Sequence, residues 1–191
     1  MTKYVLHGGE TSVPSEDNNT FFNEIVKDLE EPINFLCVYF ASKKEKWLKL
    51  FEQDKKHFLD LQKQFEFILA EDDIDKFIQQ IKFANVVYLR GGKDDYLTEV
   101  LGKIDNLRDL FKDKVVGASS AGANVLSLQY YSSSKGCVKE GLGILKIKVF
   151  CHYNEDKIEQ LKELKAHDEN IKVYILPEQK HIVLQNKNSE E

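Results

Sequence analysis

The chain has 191 residues, 42% hydrophobic and 31% charged, enough apolar side chains for one globular domain and too few residues for two comfortable ones. Its 27 basic and 32 acidic residues give a formal net charge of -5, which argues against nucleic acid as a partner. No run approaches 18 uninterrupted apolar residues, the chain turns to Gly8-Gly9-Glu10 before an apolar leader could form, and Cys37, Cys137 and Cys151 make no CxxC pair. A membrane span or membrane partner, a secretory leader and a disulfide framework are therefore not expected, and a cytoplasmic protein is.

In chain order, the first strand is predicted at Tyr4–Leu6, followed by Gly8-Gly9 and a polar loop over Glu10–Thr20. Gly8-Gly9 could form a ligand loop, although no phosphate-binding fingerprint accompanies it. A helix is predicted over Phe21–Glu31 with Thr20 as its cap, then a strand at Ile33–Phe40. The next helix, Lys43–Gln62, follows Ser42 and carries Glu45 in the place a capping box requires. A strand at Phe65–Leu69 leads to a helix over Asp73–Phe83 capped by Asp72. Further strands are predicted at Asn85–Leu89, Lys114–Ala118, Ile144–Phe150, Lys172–Leu176 and Ile182–Leu184. This alternation predicts parallel βαβ units in an α/β fold, a doubly wound, mostly parallel sheet with helices on both faces. Residues 1–185 are read as one domain, with a polar tail over 186–191. Chemistry is then expected at the carboxyl ends of strands, where such sheets bind ligands.

The most informative such end is Lys114–Asn124, where an apolar strand runs into Gly117-Ala118-Ser119-Ser120-Ala121-Gly122 and then an apparent helix start. A nucleophile elbow needs tiny flanking side chains, because the turn is sharp and its serine must project beside the free N–H groups of a helix N-terminus. Ser120 has Ala118 two before it and Gly122 two after it, and is favoured over Ser119 because glycine on the helix side permits the closest backbone approach. Capping of the following helix is the competing role for either serine.

Ser120-Ala121-Gly122-Ala123-Asn124 resembles the nucleophile motif of the dipeptidase E family of serine peptidases, whose relatives include cyanophycinases. Val86–Gly92 followed by Leu97 is similar to that family's strand and Gly-Gly loop, Gly141–Leu145 leading to His152-Tyr153 to its histidine segment, and Leu176-Pro177-Glu178 to a landmark near its C-terminus. The four islands stand in the family's order. The resemblance implies a class I glutamine-amidotransferase-like or flavodoxin-like fold and hydrolysis of small peptides or related amides; no cofactor is expected, and no metal, since the sequence has no HExxH, no paired His/Cys spacing and no Asp-rich calcium loop. An amidotransferase itself would need cysteine where Ser120 stands, and Cys137 and Cys151 lack elbow spacing.

A serine hydroxyl needs a base within hydrogen-bond reach. Of five histidines, His57 lies mid-helix, His167 suits a helix end, His181 opens a strand and His7 closes one. His152 follows the strand Ile144–Phe150 and would share an edge with Ser120 if that strand ran parallel to Lys114–Ala118; it also matches the family histidine. The family's usual aspartate would fall within Tyr130–Lys135, where there is no acid. Glu140, Glu155, Asp156 and Glu178 are the candidates for the third member, and a Ser–His dyad is the other arrangement. Backbone N–H groups of Ala121 and of Gly91 and Gly92 are the candidate oxyanion donors. The family's recognition arginine is also missing after His152, which leaves Arg90, Asn124 and Lys157 as candidate substrate contacts and gives no ground for aspartyl specificity. Arg90 could equally form a surface ion pair. A catalytically impaired relative that binds a small peptide or metabolite in the same cleft is the alternative function. The oligomeric state is not legible.

Overall fold

The computed structural model describes residues 1–186. Its strands are β1 (Thr2–His7), β2 (Ile33–Val38), β3 (Phe65–Leu69), β4 (Val86–Leu89), β5 (Val115–Ser119), β6 (Gln129–Ser132), β7 (Cys137–Glu140), β8 (Lys148–Cys151), β9 (Val173–Leu176) and β10 (His181–Asn186). Its α-helices are α1 (Glu16–Val26), α2 (Trp47–Lys55), α3 (Ile74–Phe83), α4 (Asp94–Leu101), α5 (Leu107–Leu110), α6 (Ala121–Leu126) and α7 (Ile158–Ala166).

A six-stranded sheet in the order β10-β1-β5-β4-β2-β3 forms the centre, parallel throughout except for β10, which runs antiparallel to β1. Every residue of β1, β4 and β5 is buried, as expected of parallel strands covered on both faces. The expected mixed α/β fold with a mostly parallel sheet is what the chain adopts.

Helix α1 shows how local chemistry sets an element. Ser15 accepts the N–H of Asn18 at 3.2 Å, Glu16 and Asp17 complement the positive helix end, and Phe21, Phe22, Ile25 and Val26 form the buried stripe. The helix therefore begins five residues before the expected Phe21. Its first turns face solvent and are polar, which reads as loop in composition, and Thr20 lies inside it with its hydroxyl donating to Glu16 O at 2.9 Å.

The helix expected over 43–62 is three pieces: 3-10 turns at Lys44–Lys46 and Lys56–Leu61 enclose α2. No capping box forms, because Lys43 occupies the cap position and the Ser42 carbonyl accepts the indole N–H of Trp47 at 2.9 Å. Asp73, rather than Asp72, caps α3 by accepting the Lys76 N–H; Asp72 pairs with Lys44 at 2.7 Å.

The larger departure is a second sheet, ordered β7-β6-β8-β9, with β7 antiparallel and the others parallel. Strands β6 and β7 were hidden by polar sequences, Gln129-Tyr130-Tyr131-Ser132 and Cys137-Val138-Lys139-Glu140. Strand β8 belongs to this sheet, not beside β5, and begins at Lys148; the apolar Ile144 and Leu145 that suggested an earlier start are buried in irregular chain. Successive side chains of β8 point to opposite faces, so Val149 and Cys151 join the main core while Phe150 packs with Tyr131, Leu161 and Leu164. At the C-terminus β10 extends through Asn186, one residue into the expected tail, and residues 187–191 lie outside the described residues.

Candidate active site

Strand β5 ends at Ser119, and the chain reverses at Ser120 into α6. Ser120 has φ 48° and ψ -110°, a backbone state that a non-glycine residue holds only at a cost of about 1–3 kcal/mol. The sharp reversal lifts its hydroxyl off the sheet edge at the start of a helix, as an elbow requires. Gly122 makes this fit: a Cβ there would stand 2.3 Å from the carbonyl oxygen of Leu89, so α6 sits directly on the end of β4.

His152 follows the last residue of β8 and presents Nε2 to Ser120 Oγ at 2.7 Å, inside the range of a working nucleophile–base pair. On the ring's far side, Nδ1 lies 3.2 Å from Glu178 Oε1. Ser120 comes from the central sheet, His152 from the second sheet and Glu178 from the segment between β9 and β10.

The end of β1 ties these three segments together. His7 O accepts the N–H of Ser120 at 2.9 Å, Gly8 O accepts that of His152 at 3.0 Å, and Gly9 O accepts that of Gln179 at 3.0 Å. Three consecutive carbonyls thus seat the serine, the histidine and the residue beside the acid. Side chains have no room here: a Cβ on Gly8 would meet Pro177 O at 2.0 Å, and one on Gly9 would meet His152 Cε1 at 2.1 Å. The sequence signal is the Gly-Gly pair after the first strand, expected as a possible ligand loop; its glycines admit the segments that carry His152 and Glu178, and Gly9 also borders a cavity beside Ser120. His7 itself is fully buried, with Nε2–H donating to Asn18 Oδ1 at 2.8 Å and Nδ1 accepting the Gly9 N–H at 3.1 Å. Burial pushes its pKa down to about 4, so the ring is neutral.

The remaining sequence candidates separate clearly. Glu140, Glu155 and Asp156 are exposed and make no hydrogen bond to His152, leaving Glu178 as the acid at the ring. The stretch Tyr130–Lys135, where the resemblance would place an aspartate, holds Ser132–Ser134 and no acid. Gly91 is engaged, because its N–H donates to Ser119 Oγ at 3.0 Å; the N–H groups of Gly92 and Ala121 have no partner among the described residues. Arg90 is not in a surface pair: its guanidinium contacts Asp54 at 2.5 Å with the two side chains 13% and 2% exposed, and Tyr39 donates to the same carboxylate. The charge pair anchors the base of the Gly91-Gly92 turn and leaves Arg90 committed within the fold. Lys157 is likewise committed, donating to the carbonyl of His152. Asn124 is 8% exposed and reaches the site.

Two cavities flank the Ser120–His152 pair. One, of about 240 Å³, is walled by Asp94, Asn124, Tyr131 and Ser132–Ser134; the other, of about 310 Å³, by Gly9–Ser12, Arg90 and Ser119. Cys151 borders the first, and burial raises its thiol pKa, so it is no thiolate nucleophile. The whole arrangement can take a proton from Ser120, hold it on an oriented imidazole and offer N–H donors nearby.

Compared with known families, the chain matches peptidase family S51 over residues 5–191. No curated protein matches it. Among solved structures it resembles a peptidase from an acI-B1 Actinobacterium, with 19% identity and a TM-score of 0.67 over 97% of this chain and 84% of that one. It also resembles a protein from Listeria monocytogenes EGD-e described as a "putative peptidase E protein", with 18% identity and a TM-score of 0.64 over 98% of this chain and 100% of that one. At these identities the structural likeness speaks for the fold.

Proposed function

The chain belongs to peptidase family S51, and from that premise we propose that it is a serine-type hydrolase cleaving small peptides or related amides through an acyl-enzyme on Ser120. The observation that carries the reading is the 2.7 Å contact between an elbow serine and an imidazole whose other nitrogen faces a carboxylate.

The geometry supports the following steps. Ser120 O–H donates to His152 Nε2, so the neutral ring carries its proton on Nδ1 and donates it to Glu178. As Oγ attacks the amide carbon, the hydroxyl proton passes to Nε2 and the carbonyl electrons move to oxygen. The N–H groups of Ala121 and Gly92 are the donors left for that oxyanion. The imidazolium then protonates the leaving nitrogen, the C–N bond breaks, and an ester to Ser120 remains. Water, activated by the same imidazole, releases the acid and restores the hydroxyl. Glu178 fixes the ring's tautomer and orientation.

An impaired relative that only binds ligand is motivated by two absences, of the family aspartate and of the recognition arginine. The carboxylate of Glu178 at the ring answers the first of these, which supports the hydrolase. An active-site-directed fluorophosphonate is expected to label the wild-type protein at Ser120 and to leave Ser120→Ala unlabelled. Equal labelling of both proteins would take Ser120 out of the chemistry, and an unlabelled wild type would favour the binding role.

A further inference from the structure

Charge in the cleft bears on which amides are taken. The cavity of about 240 Å³ beside Ser120 lies below the usual range of small-molecule sites, roughly 300–1,000 Å³, and suits one residue-sized group. Among the described residues no lysine or arginine lines it, and Asp94 and His152 are its only ionisable groups apart from Tyr131 and Cys151. Asp94, 7% exposed, opens α4. Its Oδ1 accepts the N–H of Asp95 at 3.1 Å and its Oδ2 the hydroxyl of Ser132 at 3.3 Å. An ionised carboxylate offers about four acceptor sites, so these donors do not fill it, even with the buried Tyr130 hydroxyl close by.

The nearby cations are already committed. Lys135 and Lys139 both pair with Asp95, and Arg90 borders the other cavity, bound to Asp54. Asn124, 8% exposed, lines the same cavity; its carboxamide oxygen is shielded from solvent and has no hydrogen-bond partner. A ligand carboxylate in this space would meet Asp94 without a compensating cation. A cationic nitrogen would complete the carboxylate's hydrogen bonds in a poorly solvated place, where charge-assisted bonds are strong.

We propose that the cavity beside Ser120 selects substrates carrying a cationic nitrogen next to the scissile amide, with Asp94 as the specificity-determining residue. The proposal rests on the hydrolase reading of the site. The nitrogen has two sources, the α-ammonium of an N-terminal residue or the side chain of a basic one.

Four amides separate these sources by calorimetry: N-acetylnorleucinamide is uncharged, norleucinamide carries only the α-ammonium, N-acetyllysinamide only the side-chain ammonium, and the α-amide of N-acetylglutamate is anionic. One or both cationic amides should bind the wild-type protein at least about tenfold more tightly than the uncharged one, and whichever does so identifies the source. Asp94→Asn, which keeps the oxygen that receives the Asp95 N–H, should bring that ratio close to one. Ser120→Ala should keep it. The proposal is overturned if no cationic amide outbinds the uncharged one, if the anionic amide binds best, or if the ratio survives in Asp94→Asn. Fluorophosphonate labelling of the wild type reports on the hydrolase reading separately. Labelling without charge preference removes only the subsite, and charge preference without labelling removes only the hydrolase.

Discussion

In the proposed mechanism Glu178 ranks next after Ser120 and His152. Its side chain is 48% exposed, so water competes for the carboxylate and dilutes its hold on the His152 ring. A buried triad aspartate replaced by its amide costs about 10⁴ in turnover. For Glu178→Gln the expected loss is smaller, about tenfold to a hundredfold in the second-order rate of fluorophosphonate labelling. A variant within twofold of wild type would show that Ser120 and His152 act as a dyad. Sequence alone left four acids open because three of them lie closer in the chain to His152 or precede it; only the path of the chain after β9 brings the fourth to Nδ1. The elbow was legible for the opposite reason. Its requirement for small residues around Ser120 is local and is written in consecutive positions.

Among the elements, β1 does more than fill the sheet. Its last residue, His7, is buried neutral, and the carbonyls of His7, Gly8 and Gly9 seat Ser120, His152 and Gln179. This has a consequence for acid stability. Below pH 6.5 the unfolded chain takes up a proton on His7 that the folded chain refuses until about pH 4, so the unfolded state binds more protons across that window and stability falls as pH drops. The contribution of His7 is up to about 3 kcal/mol between pH 6.5 and pH 4, present in full above the window. Burial also holds the pKa values of His57 and His181 below the usual value, and both act in the same direction. Urea-unfolding midpoints measured between pH 7 and pH 4 should fall steeply in the wild type and less in His7→Gln. Equal slopes in the two proteins would mean that His7 is not the group responsible. The start of α1 was not legible in the sequence, since a polar first turn of a helix and a loop share one composition.

On the scale of the whole molecule, the site exists only where two sheets meet. Ser120 and His152 reach each other because β8 sends Val149 and Cys151 into the core of the central sheet while Phe150 packs beneath α7. Lys148, fully buried, donates to the carbonyls of Leu164 and Lys165 and so closes the end of α7 against the second sheet. With this shared core, we expect residues 1–185 to unfold as one unit. Fluorescence of the single tryptophan, Trp47, which packs in the central core, should change at the same urea concentration as the far-UV circular dichroism and the loss of fluorophosphonate labelling. Loss of labelling well before the Trp47 transition would show that the second sheet opens separately.

The sequence by itself determined the alternation of strands and helices, the mostly parallel α/β fold, the family resemblance and the pairing of Ser120 with His152 as candidates. Hydrophobic periodicity and small-residue turns are properties of neighbouring positions, and they survive without knowledge of what packs where. Tertiary structure alone decided that β8 lies in a second sheet, that Glu178 faces the histidine, that Gly91 and Arg90 are already engaged, and that Gly8-Gly9 carries the site. Each of these depends on hydrogen bonds or packing between segments far apart in the chain. No local pattern encodes such a contact, because either partner's sequence is compatible with many neighbours until the fold selects one.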